Sequence, residues 1–488
     1  MQQDLKLLTD EQIIQFITEG YLVLQNELPN ERHQKVMSHI HAVLMEEGNP
    51  GNNILPRVPD IQAFFETPVV RGALTGILGP DYYMHPHRHC HYNQPANQNP
   101  GGGLWHKDGY WSAMRSHRPW WAMIFYYTQD ITEELGPTAV MPGSQYNEHF
   151  PGEDKPFRLP TGPAGTMVLV HFDLWHKASL NTSNQDRYML KFQFARLEAP
   201  TSPTWEYENK TFQVPAGQAD DTLLPIWLDV WDWLRGGSAE REERTDATLV
   251  DQKEAVRLKE AAEGDIENVA LNAAYTLGRS GELGVGELLS IMRLGSAEAS
   301  VRAGYGCIAA GKAAVEGLID LLDHSDGERR ALACFALGMI GSPKEQVVTA
   351  LIFALSDGHA LVERQAAEAL GFIHATSPEA VSSTAHALVK ALEQEKMEQT
   401  IDYWPHQGYI ANKIGYSAAL TLLRTGKNGE ANEVIHALTA ALDSKDRYVR
   451  AYAFEALTYL RTEKAVEVLL RYYRTARWCP DTSKASMF

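Results

Sequence analysis

The chain has 488 residues, too many for one compact core, and its 44% hydrophobic and 22% charged content is that of an ordinary globular protein of two or three domains. A formal net charge of −18 disfavours polyanionic partners, so neither nucleic acid nor an anionic membrane surface is expected. No apolar run is long enough to span a bilayer, and the four scattered cysteines (Cys90, Cys307, Cys334, Cys479) argue against a disulfide framework or a structural zinc site.

The N-terminus, Met-Gln-Gln-Asp-Leu-Lys, shows no basic-then-apolar leader, and a cytoplasmic location is expected. Thr9-Asp10-Glu11-Gln12 ahead of Ile13, Ile14 and Phe16 predicts a capped helix. Tyr21–Leu24 reads as a strand, and a second helix is expected from about Glu31 to Glu47. His85, His87, His89 and His91 alternate, so a strand would point all four one way, and Pro86 favours a sheet edge. Asn93–Gly103, rich in Gly, Pro and Asn, reads as a loop. Trp121–Tyr127 and Thr166–Phe172 are apolar strands, and Tyr188–Phe194 alternates with period two. A few helices followed by many short strands predict an α+β domain built on a double-stranded β-helix, or jelly roll. Trp227, Trp231 and Trp233 mark a short helix that closes this domain, with the tryptophans as packing residues. The expected division is 1–235 for the jelly roll, 236–249 for a linker, 250–475 for a helical domain and 476–488 for a tail.

The chemistry concentrates in two segments. His106 and Asp108 sit at i and i+2, which directs both side chains to one side of a strand end. Sixty-eight residues beyond Asp108, His176 follows an apolar strand, and Arg187 lies eleven residues further on. Two imidazoles and one carboxylate on one face of a metal leave positions open, the arrangement of non-haem Fe(II) oxygenases. A nearby arginine can clamp the far carboxylate of a dicarboxylic co-substrate. His171, five residues before His176, is the competing distal ligand; the expectation for it is a packed residue. Trp111 and Arg115, close after the first segment, with His89 and His91, are candidates for a substrate wall.

These segments resemble the phytanoyl-CoA dioxygenase family of Fe(II)/2-oxoglutarate oxygenases. The resemblance covers about 1–235: the Leu8–Gln12 opening, His106-x-Asp108, Gly136-Pro137 followed by Met141-Pro142-Gly143-Ser144, and His176 with Asn181, Ser183 and Arg187 at +5, +7 and +11. It implies His106, Asp108 and His176 as Fe(2+) ligands and Arg187 as the partner of the 2-oxoglutarate C5 carboxylate. O2 is then the other co-substrate, and a C–H bond of a small molecule is hydroxylated or otherwise oxidised. The family usually carries Ser two residues after the distal His, where this chain has Ala178; Ser179 or Ser183 is the expected replacement. Ser179 and Thr138 are the further candidates for holding the co-substrate. Related halogenases replace the carboxylate by a small residue, so Asp108 disfavours halogenation.

From about 250 the texture changes to Ala and Leu at helical spacing. Ala331–Gly341, Val362–Gly371 and Val449–Leu457 repeat one pattern at a period of about 30 residues. This resembles HEAT repeats and predicts an all-α solenoid over 250–475, whose surface would take a protein partner or mediate self-association. Segment 396–416, with Tyr403-Trp404-Pro405-His406, breaks the period and reads as an insertion or loop. The competing reading makes the protein a repeat scaffold with a non-catalytic jelly roll. A bilin-lyase-like protein, suggested by the repeats alone, leaves the first 235 residues unexplained.

Overall fold

The computed structural model describes residues 4–98, 100–108, 114–215, 223–237, 250–397, 410, 412–425 and 432–475. Trp111, the linker from 238 to 249, Tyr403–His406 and the tail 476–488 lie outside the described residues.

The chain divides into two compact units. In the first, helix α1 (Asp10–Glu19) starts as its sequence dictates: Thr9 and Gln12 form a reciprocal capping box, and Gly20 ends the helix in the left-handed region. Asp10 also ties this helix end to the far end of the unit, accepting from Trp205 Nε1 at 2.7 Å and from the Asn209 backbone N–H at 2.8 Å. After β1 (Tyr21–Gln25) come α2 (Asn30–Glu47), α3 (Ile54–Arg57), α4 (Gln62–Phe65) and α5 (Pro68–Leu78), then β2 (Tyr83–Asn93) and β3 (Trp121–Tyr127). The remaining strands are β4 (Ala139–Val140), β5 (Thr166–His171), β6 (His176–Lys177) and β7 (Arg187–Ala195).

Five strands form an antiparallel sheet in the order β1-β5-β3-β7-β2, and β4 pairs with β6 in a second sheet. Strand parity gives the large sheet two faces. One packs on helices, with Phe65 stacked on Phe192 at 4.4 Å and Phe64 on Tyr126 at 5.1 Å. The other faces the small sheet, and Phe125 of β3 meets His176 of β6 at 5.6 Å across the gap. This is the double-sheet jelly roll expected from the sequence. β2 takes the edge position, as Pro86 suggested, and its register shifts between Met84 and Arg88.

Helix α6 (Leu224–Leu234) buries Trp227, Trp231 and Trp233 almost completely, so these are packing residues. The helix falls in the second unit rather than at the end of the first, packing on α8 (Glu267–Gly278), where Arg279 approaches Asp232 at 3.7 Å. So apolar a helix needs a partner layer, and the first helices of the repeat supply it.

The rest of the second unit is helical. With α7 (Gln252–Ala262) before α8, it continues through α9 (Glu282–Leu294), α10 (Ala297–Ala310), α11 (Val315–Leu321), α12 (Gly327–Ile340), α13 (Glu345–Ala354), α14 (Ala360–Phe372) and α15 (Pro378–Met397). It ends with α16 (Lys413–Thr425), α17 (Asn432–Ala441), α18 (Arg447–Leu460) and α19 (Glu463–Thr475). Even-numbered helices from α8 to α18 pack in one row and odd-numbered helices from α7 to α19 in the other, the two-layer stack of a repeat array. Small residues set the spacing: a Cβ on Gly278 would lie 2.2 Å from the Gly306 carbonyl oxygen, so α8 and α10 touch backbone to backbone. No helix among the described residues is long and apolar enough to cross a membrane.

Candidate functional site

The site grows out of the strand ends that face each other across the jelly roll. His106 and His176 form an antiparallel bridge, each backbone N–H bonding the other's carbonyl at 3.0 Å. This brings the two rings to 4.5 Å between centroids although 70 residues separate them in the chain. Each ring contacts the backbone in the same way: His106 Nδ1 lies 2.8 Å from the Leu104 carbonyl and His176 Nδ1 2.9 Å from the Leu174 carbonyl. A ring nitrogen against a carbonyl must carry the proton, which leaves each Nε2 with a free lone pair. Asp108 Oδ1 lies 3.6 Å from His176 Nε2. One ligand atom from each of His106, Asp108 and His176 falls within 4.8 Å of the others, the one such group of three among the described residues. Two imidazole nitrogens and one carboxylate oxygen suit a divalent transition metal.

The second oxygen of Asp108 has other neighbours. Oδ2 pairs with Lys191 Nζ and accepts from Gln193 Nε2 at 3.3 Å. Burial alone would raise the Asp108 carboxyl, but its surroundings, the Lys191 ammonium first among them, outweigh it and hold the group well below the ordinary carboxylate range. Burial, helped by the neighbouring His176, lowers His106, which favours the neutral ring that a metal needs.

Arg187 opens β7 and is 1% exposed. One Nη donates to the Gly136 carbonyl, and Asn93, its register partner on β2, accepts from the other at 2.8 Å in the amide orientation that satisfies both groups. Gly136 has φ +72°, and a Cβ there would come 2.5 Å from the Leu180 carbonyl oxygen, so only glycine fits where this loop crosses the 178–182 segment. Asn181 holds that segment by donating to the Gln185 and Asn93 carbonyls, and Ser183 Oγ donates to Asn181 Oδ1 at 2.7 Å. The residues at +5 and +7 therefore shape the loop that delivers Arg187. The buried Thr138 donates its backbone N–H to Tyr127 Oη at 2.8 Å, and the Ser179 carbonyl lies against Gly136.

His171 sits apart from the triad, its ring 6.2 Å from Phe16 and its Nδ1 accepting from the Asp173 N–H. The histidine row of β2 is real: His87, His89 and His91 follow one another at 5.2 and 4.4 Å between rings. His89 and His91 belong to the site face, opposite Lys191 and Met189. Arg115 groups with the helical unit, where its carbonyl accepts from Tyr305 of α10 at 2.9 Å. Lys191, Gln193, Asn93 and Tyr127 did not stand out in the sequence as site residues. The signal was available: counting by twos from Arg187 reaches Met189, Lys191 and Gln193 on one face of β7.

Residues 17–189 match the model of the phytanoyl-CoA dioxygenase (PhyH) family, and residues 315–397 match that of HEAT repeats. L-proline trans-4-hydroxylase of Streptomyces griseoviridis is 24% identical over 238 residues, which are 39% of this chain and 88% of the relative. Among solved structures, the non-heme alpha ketoglutarate dependent carbocyclase SnoK from nogalamycin biosynthesis is 18% identical, with a TM-score of 0.34, and the match covers 42% of this chain and 94% of that one. EctD from S. alaskensis, solved with 2-oxoglutarate and 5-hydroxyectoine, is 17% identical over 42% of this chain and 83% of its own, also at 0.34.

Proposed function

We propose that the first unit is an Fe(II)- and 2-oxoglutarate-dependent oxygenase acting on a C–H bond of a small organic molecule. The observation that carries this reading is the convergence of one ligand atom from each of His106, Asp108 and His176, with the buried Arg187 on β7, the strand whose Lys191 and Gln193 hold Asp108. The family match and the hydroxylase relative support it. Iron(II) held there would supply C–H oxidation by O2, coupled to conversion of 2-oxoglutarate into succinate and CO2.

The chain's own residues do the rest. His106, Asp108 and His176 hold the metal, and the Leu104 and Leu174 carbonyls orient the two rings. Arg187 binds the C5 carboxylate, and Thr138 and Ser179, which flank the Gly136 turn that accepts from Arg187, are candidate contacts to 2-oxoglutarate. The buried side chains of Phe125, Tyr127 and Met189 exclude water from the metal's surroundings, which strengthens every charge interaction inside. The repeat unit offers a surface for a protein partner or a second copy. The free, buried thiols of Cys90, Cys307 and Cys334 suit a reducing cytoplasm.

The test is an anaerobic titration of metal-free protein with Fe(II) and 2-oxoglutarate, followed by the visible charge-transfer band. The band is expected in the wild type, absent in His176→Ala and weakened in Arg187→Ala. A folded wild type without a band would sink the assignment.

A further inference from the structure

The wall formed by β2 and β7 carries more polar chemistry than a metal and 2-oxoglutarate use. Lys191 has a side chain only 7% exposed and a single acceptor, Asp108 Oδ2, among the described residues. An ammonium has three donors, so two point at no acceptor among the described residues. Beside it, His91 Nε2 is buried without a hydrogen-bond partner among the described residues, and so is Gln193 Oε1. The Gln193 amide is oriented by its Nε2, which donates to Asp108, and its oxygen is therefore an available acceptor. Buried polar atoms are nearly always paired in a folded protein, so neighbouring orphans on one face mark a place where a polar ligand belongs.

Charge decides which ligand. Two buried cations, Arg187 and Lys191, share this face with one carboxylate, Asp108. A divalent metal and the dianionic 2-oxoglutarate cancel each other, which leaves one positive charge in excess inside a desolvated site. An unmatched buried charge is costly, and a monoanion removes the excess. Position separates this need from that of the co-substrate. Arg187 and Lys191 are four residues apart, roughly 13 Å along the strand, and Asp108 sits over Lys191 and Gln193 rather than over Arg187.

We propose that Lys191, with His91 and Gln193, forms a carboxylate subsite that makes the substrate a small carboxylic acid. Gln193 Oε1 would accept an N–H or O–H carried near that carboxylate. The inference rests on the oxygenase reading, since it takes the metal and 2-oxoglutarate as neighbours.

The test uses the full chain loaded with Mn(II) and 2-oxoglutarate, titrated calorimetrically with free L-amino acids and short monocarboxylic acids, each beside its carboxamide. One or more acids should bind, each about 10- to 100-fold more tightly than its amide, the worth of a charge-assisted contact. Lys191→Met should bring the acids down to the level of their amides. Lys191→Gln, which keeps a donor for Asp108 but drops the charge, should do the same if the methionine variant fails to fold. In either variant, at saturating Mn(II), 2-oxoglutarate should lose clearly less affinity than the acids do, as expected for a separate partner. Equal binding of acid and amide, or no acid binding at all, would overturn the subsite. So would a loss of 2-oxoglutarate that matches the loss of the acids, since the anion would then be the co-substrate itself. A wild type that binds neither Mn(II) nor 2-oxoglutarate would instead remove the oxygenase reading beneath it.

Discussion

The two units bring their charged groups together in different ways. In the repeat unit, charges find partners one repeat along the chain: Arg330 forms a two-pronged pair with Asp357, Lys390 reaches Glu363 and Lys259 reaches Glu287. Three helices of one row also start on side-chain caps, from Ser296, Asp326 and Asp446. In the jelly roll the polar groups of the candidate site come from strands distant in sequence, and His91 Nε2 and Gln193 Oε1 have no partner among the described residues. Periodic pairing stabilises a fold; convergence without pairing leaves room for a ligand. The difference implies that substitutions at the triad change metal binding far more than stability, whereas those at the contacts between repeats change stability alone.

The largest effect expected is functional. His106→Ala should weaken Fe(II) binding by about 100-fold or more, because even the groups that merely orient metal ligands are worth about 10- to 100-fold. Its unfolding free energy should change by no more than about 1 kcal/mol. Metal titration and chemical denaturation of the same preparation measure both, and a large stability loss would blur the contrast between the units.

Next comes packing between repeats. Gly278→Val places side-chain atoms where the Gly306 carbonyl already sits. With backbone on the other side, the helices must separate, at a cost of about 3 kcal/mol. Unfolding followed by far-UV circular dichroism reads this, and an unchanged midpoint would show that the α8–α10 contact is looser than described.

The smallest effect concerns the inter-repeat ion pairs. Arg330→Ala should cost about 1 kcal/mol at neutral pH, since the pair is only partly shielded from water. The Arg330 hydrogen bond holds the Asp357 carboxyl below its ordinary value. A depressed carboxylate contributes stability above its unfolded pKa, near 3.9, and loses it as pH falls through the lower folded value. The difference between wild type and variant should therefore shrink below about pH 3.5. A difference that persists in acid would mean that the arginine acts through its bonds to the His324 and Ser325 carbonyls instead.

Much of this was legible in the sequence because it rested on local rules. The Thr9–Gln12 capping box, the period-two strand after Arg187 and the 30-residue repeat each state their structure within a short window. His106, Asp108 and His176, singled out by their spacing, are brought within ligand reach of one another. Less legible were features that depend on what lies across the sheet. Lys191 looked like an ordinary polar residue in an alternating strand until β2, β3 and the Asp108 loop enclosed it. Helix α6 read as the end of the first domain because it precedes the charged linker, yet its tryptophans needed the apolar layer that only the repeat helices provide.

The most direct test of the central claim is the release of labelled CO2 from 1-labelled 2-oxoglutarate, with Fe(II) and O2 supplied to the full chain. Slow release is expected even without substrate, and none from His176→Ala. Equal release from the two proteins, or none from a folded and iron-loaded wild type, would contradict the assignment of an oxygenase to this triad.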